Sequence, residues 1–195
     1  MDKSSKLTNK PLSLNEFNFG AFSSSPNWIG FFERKSKFSV NLIDQSLDIF
    51  KDFFKKENED IIIVTALSFD DKRERNNEII NKYNVIYEKM KESGVLLPMT
   101  SCYESYLYGD IPLPASALNF YFDKNIFIEL SKIMMCHSGI IGDICFYINK
   151  DMNIAVYPHE DVGFGCMSLN GDRTAGIQFL NTCSKNNNFR VVFDK

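Results

Sequence analysis

No apolar run in this chain of 195 residues approaches the roughly 18 needed for a membrane-spanning helix, and Met1–Lys10 lacks a signal-peptide core. A cytoplasmic location is the expectation. Histidine is scarce: His137 and His159 are the only two, which limits both metal binding and acid–base chemistry near neutral pH. The five cysteines (Cys102, Cys136, Cys145, Cys166, Cys183) are odd in number and scattered, with no CxxC pair. They read as free core thiols in a reducing compartment. Phosphate-cradling loops are missing too. Gly163-Phe164-Gly165 has neither the third glycine nor a helix opening directly after it, and nothing resembles a P-loop. Excess positive charge is also absent. The net charge of −3 argues against a general nucleic-acid binder. No metal and no cofactor are expected.

What is present is the composition of a globular protein, with 44% apolar residues, 14% aromatics and 18 phenylalanines for an aromatic-rich core. Residues 1–25 read as an irregular N-terminal arm, tacked to the body by Phe17, Phe19 and Phe22. Trp28–Glu33 reads as a short strand. Asn41–Lys56 reads as a helix, with Leu42, Ile43, Leu47, Phe50, Phe53 and Phe54 recurring every three or four residues. The β-branched run Ile61–Val64 predicts a central strand covered on both faces. Asp70–Ser93 predicts a long helix stopped by Gly94. Leu118–Phe122 is a candidate strand, followed by a helix from an Asp123 cap to about His137. Ile144–Asn149 and Asn153–Tyr157 predict a β-hairpin. Phe164–Leu169 reads as a strand, Asp172–Ser184 as a helix despite Gly176, and Phe189–Phe193 as a last strand. The expectation is one α/β (α+β) domain over residues 26–195: a mixed β-sheet with a hairpin in its C-terminal half, packed by about four helices.

Few residues present themselves for chemistry. Cys136 and His137 are neighbours on the predicted helix, about 100° apart, and cannot share a metal without other ligands. His159-Glu160-Asp161 reads as a polar loop seven residues before Cys166, so a Cys–His–Asp arrangement is conceivable where the thiol is activated. Charge is unevenly spread. Residues 101–172 hold three bases (Lys124, Lys132, Lys150) against nine acids (Glu104, Asp110, Asp123, Glu129, Asp143, Asp151, Glu160, Asp161, Asp172). Tyr103, Tyr106 and Tyr108 lie in the same stretch. Two readings stay open: solvated acids with half-buried tyrosines, or an interface in which tyrosines supply area and carboxylates steer a basic partner. The interface reading nominates Tyr103, Glu104, Tyr106, Tyr108, Asp110, His159, Glu160 and Asp161.

Several segments, in order, resemble a bacterial family known as a domain of unknown function, number 3885. They are Ile29-Gly30-Phe31-Phe32-Glu33, Leu47–Phe54 running into Ile61–Thr65, Cys145-Phe146-Tyr147-Ile148-Asn149, Asn153–Tyr157, and a closing helix and strand that ends at Asp194. The likeness covers about residues 28–195. That family follows the hairpin tyrosine with Asp-Asp-Arg-Gly, whereas Tyr157 is followed here by Pro158-His159-Glu160-Asp161-Val162-Gly163, so no functional residue carries over. The resemblance implies an immunity protein of a polymorphic toxin or contact-dependent inhibition system. Such a protein would be non-enzymatic, its partner a cognate toxin C-terminal domain of basic nuclease type. The alternatives are a scaffold or housekeeping interaction module, or an enzyme using His159 and Cys166.

Overall fold

The computed structural model describes residues 25–55, 60–69, 77–98, 118–136 and 140–194. Strand β1 (Trp28–Arg34) opens the order, followed by helix α1 (Val40–Phe53), β2 (Ile61–Phe69), α2 (Asn77–Glu92) and β3 (Leu97–Pro98). Then come β4 (Leu118–Tyr121), α3 (Lys124–Met135), β5 (Ile140–Asn149), β6 (Ile154–His159), β7 (Gly163–Ser168), α4 (Thr174–Cys183) and β8 (Phe189–Phe193). The fold is α+β, with one mixed sheet in the order β3-β2-β5-β6-β7-β1-β8 and β4 also paired to β2. Because β5 takes one edge of β2 along its length, β3 and β4 share the other. Among the described strands, only β2 and β3 run parallel.

Local chemistry accounts for the elements. Helix α1 buries Leu42, Ile43, Ser46, Leu47 and Phe50 along one stripe and stops three residues before the expected Lys56, at Phe53. The Asp123 carboxylate caps α3 by accepting from the Asn125 and Ile126 N–H groups at 2.8 and 3.0 Å. Helix α2 ends on Gly94 at φ +73°, a left-handed position that favours glycine. Its described start is Asn77, and the expected opening turns at residues 70–76 lie outside the described residues. Strand β2 runs five residues past Val64, since Ser68 satisfies its hydroxyl by donating to the Leu97 carbonyl at 2.8 Å.

Helices α1–α4 pack against the same face of the sheet, in one core with Phe32, Ile63, Tyr147, Phe164 and Phe189. Phe50 is the hub of this layer. Its ring lies 4.3 Å from Phe127, 4.5 Å from Phe54 and 5.4 Å from both Tyr147 and Phe164. A fully buried phenylalanine contributes about 1.5–3 kcal/mol from area alone, and aromatic contacts add to it. On the opposite face, Val64, Phe146, Ile148, Ala155, Tyr157 and Met167 form a second buried cluster. Toward β1 and β8 that face becomes half-exposed, at Trp28, Phe31, His159 and Val192. Cys136, Cys145, Cys166 and Cys183 are buried and none of them is in a disulfide, and burial pushes the Cys145 and Cys183 thiols up to about 12.

Candidate protein-binding surface

The half-exposed part of the second face is built by β1, β6 and β7. The register sets Phe31 of β1 and Tyr157 of β6 opposite Gly165 of β7, and His159 opposite Gly163. Two glycines on the middle strand leave room for the flanking rings to lie over it. A Cβ at Gly165 would sit 2.2 Å from the Tyr157 Cζ. One at Gly163 would meet the Phe32 carbonyl oxygen at 1.8 Å and the His159 Nε2 at 3.1 Å. Trp28 donates its indole N–H to the Tyr157 hydroxyl at 2.9 Å. Phe31 stands 6.0 Å from Trp28 and meets the His159 ring edge-on at 5.5 Å. The result is a contiguous aromatic patch on three paired strands.

His159 is a strand residue, which corrects its expected place in a loop. Strand β6 continues through Pro158 because the Leu169 N–H donates to the Asn153 carbonyl. That bond turns the even-numbered residues of β6 toward β5, and β5 pairs only as far as Val156. The missing N–H of Pro158 therefore costs no ladder bond. The His159 Nε2 lies 2.9 Å from the Phe32 carbonyl, so it donates across the glycine to β1. Burial lowers the imidazole pKa; the bond to Phe32 and the charges of Asp161, Glu33 and Glu160 oppose this incompletely.

The turn beyond is strained. Val162, fully buried in the helix-side core, has φ +58°, a region β-branched residues rarely enter. This presents Glu160 and Asp161 on the surface, while the Arg34 N–H donates to the Asp161 carbonyl at 3.1 Å. Arg34 also pairs with the Asp161 carboxylate at 3.8 Å, an exposed pair worth at most about 1 kcal/mol. Nearby, the buried Glu33 carboxylate takes both Nε and Nη2 of Arg190 on one oxygen.

The structure separates Cys166 from His159. Cys166 belongs to the helix-side core, with its Sγ 3.7 Å from the Gly176 carbonyl, whereas His159 lies on the other face. Burial raises the Cys166 pKa, against only a weak opposing effect of Arg173, the reverse of what an activated thiol needs. Among the described residues no group of three or more His, Cys, Asp or Glu side chains is placed to hold a metal ion. No described helix is long and apolar enough to cross a membrane.

Of the eight nominated interface residues, His159, Glu160 and Asp161 come together here. Tyr103, Glu104, Tyr106, Tyr108 and Asp110 lie outside the described residues. Several of the nine acids have local duties. Asp123 caps α3, Asp172 accepts from the Thr174 N–H at 2.9 Å, Glu129 pairs with Lys89, and Asp161 pairs with Arg34. The bonds from Thr174 hold the Asp172 carboxyl below its ordinary pKa. Trp28, Phe31 and Arg34 were not among the nominated residues. Alternation within Trp28–Arg34 puts Phe31 and Glu33 on one face, but only the β1–β7 register brings that face to His159. No protein-family model, curated protein or solved structure matches the chain.

Proposed function

We propose that this chain is a non-enzymatic, cytoplasmic immunity protein that binds a cognate bacterial toxin domain, of basic nuclease type, and neutralises it by occlusion. The observation that carries the reading is the patch of half-exposed Trp28, Phe31 and His159, backed by the buried Tyr157 ring and bordered by Arg34, Glu160 and Asp161. Aromatic anchors on a rigid element, rimmed by charge, are the usual composition of an interface hot spot. Glu160 and Asp161, both exposed at the tip of the β6–β7 turn, supply carboxylates that speed encounter with a basic partner.

The test is capture from the native organism with the tagged chain as bait, followed by binding kinetics on whatever toxin domain is recovered. Trp28→Ala and Phe31→Ala should each weaken binding by about 2 kcal/mol or more, mainly through faster dissociation. Glu160→Lys with Asp161→Lys should slow association and flatten its salt dependence. No captured toxin while the toxin is expressed, or full binding by both aromatic variants, overturns the assignment.

A further inference from the structure

The sheet ends on β8, which pairs with β1 alone among the described strands. The Asp194 N–H donates to the Ile29 carbonyl, and the Asn188 carbonyl accepts from the Lys35 N–H. These two bonds fix the even-numbered residues of β8 inward, toward β1. The backbone N–H and C=O groups of Val191 and Phe193 therefore point outward, where none of the described strands pairs with them. Edge strands are normally protected by proline, lysine or a bulge. Strand β8, Phe-Arg-Val-Val-Phe, has no proline, lysine or bulge; its one charge, Arg190, folds back onto Glu33, and the strand keeps an unbroken register with β1 over five residues. Its apolar side chains also reach solvent: Phe193 is 42% exposed, and Ile177, one helical turn beyond the Arg173 that pairs with Asp194, is 39% exposed.

We propose that β8 pairs antiparallel with β8 of a second copy of this chain, continuing the sheet across a two-fold axis. Parity and charge select the register. Outward residues must meet outward residues, so the axis passes through a residue rather than between two. With Val192 on the axis, Val191 faces the partner's Phe193 in a hydrogen-bonded pair, and Arg190 faces the partner's Asp194. Placing Val191 on the axis sets Arg190 against the partner's Val192 instead, and that charge pairing is lost. Aromatic–aliphatic and opposite-charge pairs across strands both favour the first register. The ladder is short, so the dimer forms reversibly, between roughly 10 µM and 1 mM.

Sedimentation equilibrium of the whole chain over that range should show a monomer–dimer equilibrium. Val191→Pro removes an N–H that the monomer does not use, so it should keep the fold by circular dichroism while weakening dimerisation at least 10-fold. Asp194→Lys, which sets lysine against the partner's Arg190, should weaken it too. Val192→Cys should form a covalent dimer on mild oxidation, because residues at a non-hydrogen-bonded antiparallel pair have their Cα atoms about 4.5 Å apart, within disulfide reach. Lys185→Cys, exposed and off the strand, should not. A chain that stays monomeric to about 1 mM overturns the proposal and leaves the edge to a strand from a different protein. So does a dimer that tolerates Val191→Pro. Should the proline variant fail to fold, the Val192→Cys cross-link decides, and its absence is a refutation.

Discussion

Gly165→Ala is the sharpest single perturbation of the aromatic patch. The added Cβ would lie 2.2, 2.3 and 2.6 Å from Cζ, Oη and Cε2 of Tyr157, where carbon contacts settle at about 3.5–4 Å. The ring has to move by more than an ångström, yet Tyr157 is only 7% exposed and donor and acceptor are fixed across the patch. Overpacking of this kind costs about 1–3 kcal/mol. Losing the Trp28–Tyr157 hydrogen bond adds about 1 kcal/mol, and replacing a strand glycine returns about 0.5–1 kcal/mol. The expected net loss is about 2 kcal/mol, measured by urea unfolding. Trp28 is the only tryptophan, so its emission reports the displaced ring directly and should shift to the red. In a Tyr157→Val background the obstructing ring is gone, and Gly165→Ala should become neutral or stabilising. A variant within about 0.5 kcal/mol of the parent, with unmoved Trp28 emission, would refute the packing account.

Two further outcomes follow from neighbouring geometry. His159 has its folded pKa lowered, chiefly by burial, so the unfolded chain binds more protons as pH falls below about 6.5. The stability from neutral His159 is complete above that pH and is lost as pH drops through the folded pKa. His159→Gln should flatten the fall in urea midpoint between pH 7 and 5, and equal slopes would refute the assignment. At Gly176 in α4 a Cβ would meet the Ile29 Cδ1 at 2.3 Å and the Cys166 Sγ at 3.2 Å. Gly176→Ala should therefore destabilise by about 1–2 kcal/mol despite its better helix propensity. Adding Ile29→Val, which deletes that Cδ1, should recover at least about 1 kcal/mol relative to additivity, and strict additivity would count against the contact.

What the sequence disclosed follows the range of the forces involved. Helices α1 and α3 and the strands β1, β4, β6, β7 and β8 were legible because period and capping are local: Asp123 announces α3, and the short Lys150-Asp151-Met152 connection between two strand-like runs announces the β5–β6 hairpin. The long run of β2 to Phe69 was hidden, because Thr65 and Ser68 look unlike core residues until Ser68 meets the Leu97 carbonyl. His159 was misplaced because a proline usually ends a strand. Only the stagger of β5 against β6 shows that Pro158 is harmless there. The patch itself was illegible. Period-two alternation says which residues share a face, but not that residue 31 faces residue 165, a pairing set by packing of the whole sheet. The acid count likewise overstated the field, since Asp123, Glu129 and Asp172 are engaged within the fold.

Strand β1 lies between β7 and β8, which ties the first described strand to the last two. A ribosome delivers β1 early and its neighbours late. At about 5–20 residues per second, the interval before β7 is complete is on the order of ten seconds. Until then Trp28 and Phe31 belong to a strand with both edges open, and the long-range pairing that closes it is slow by nature. A nascent or truncated chain lacking β7 and β8 has no Gly165 beneath Tyr157 and no Gly163 between His159 and the Phe32 carbonyl. The patch is therefore complete only once β7 has joined β1 and β6, and a chain that stops short of β7 cannot form it.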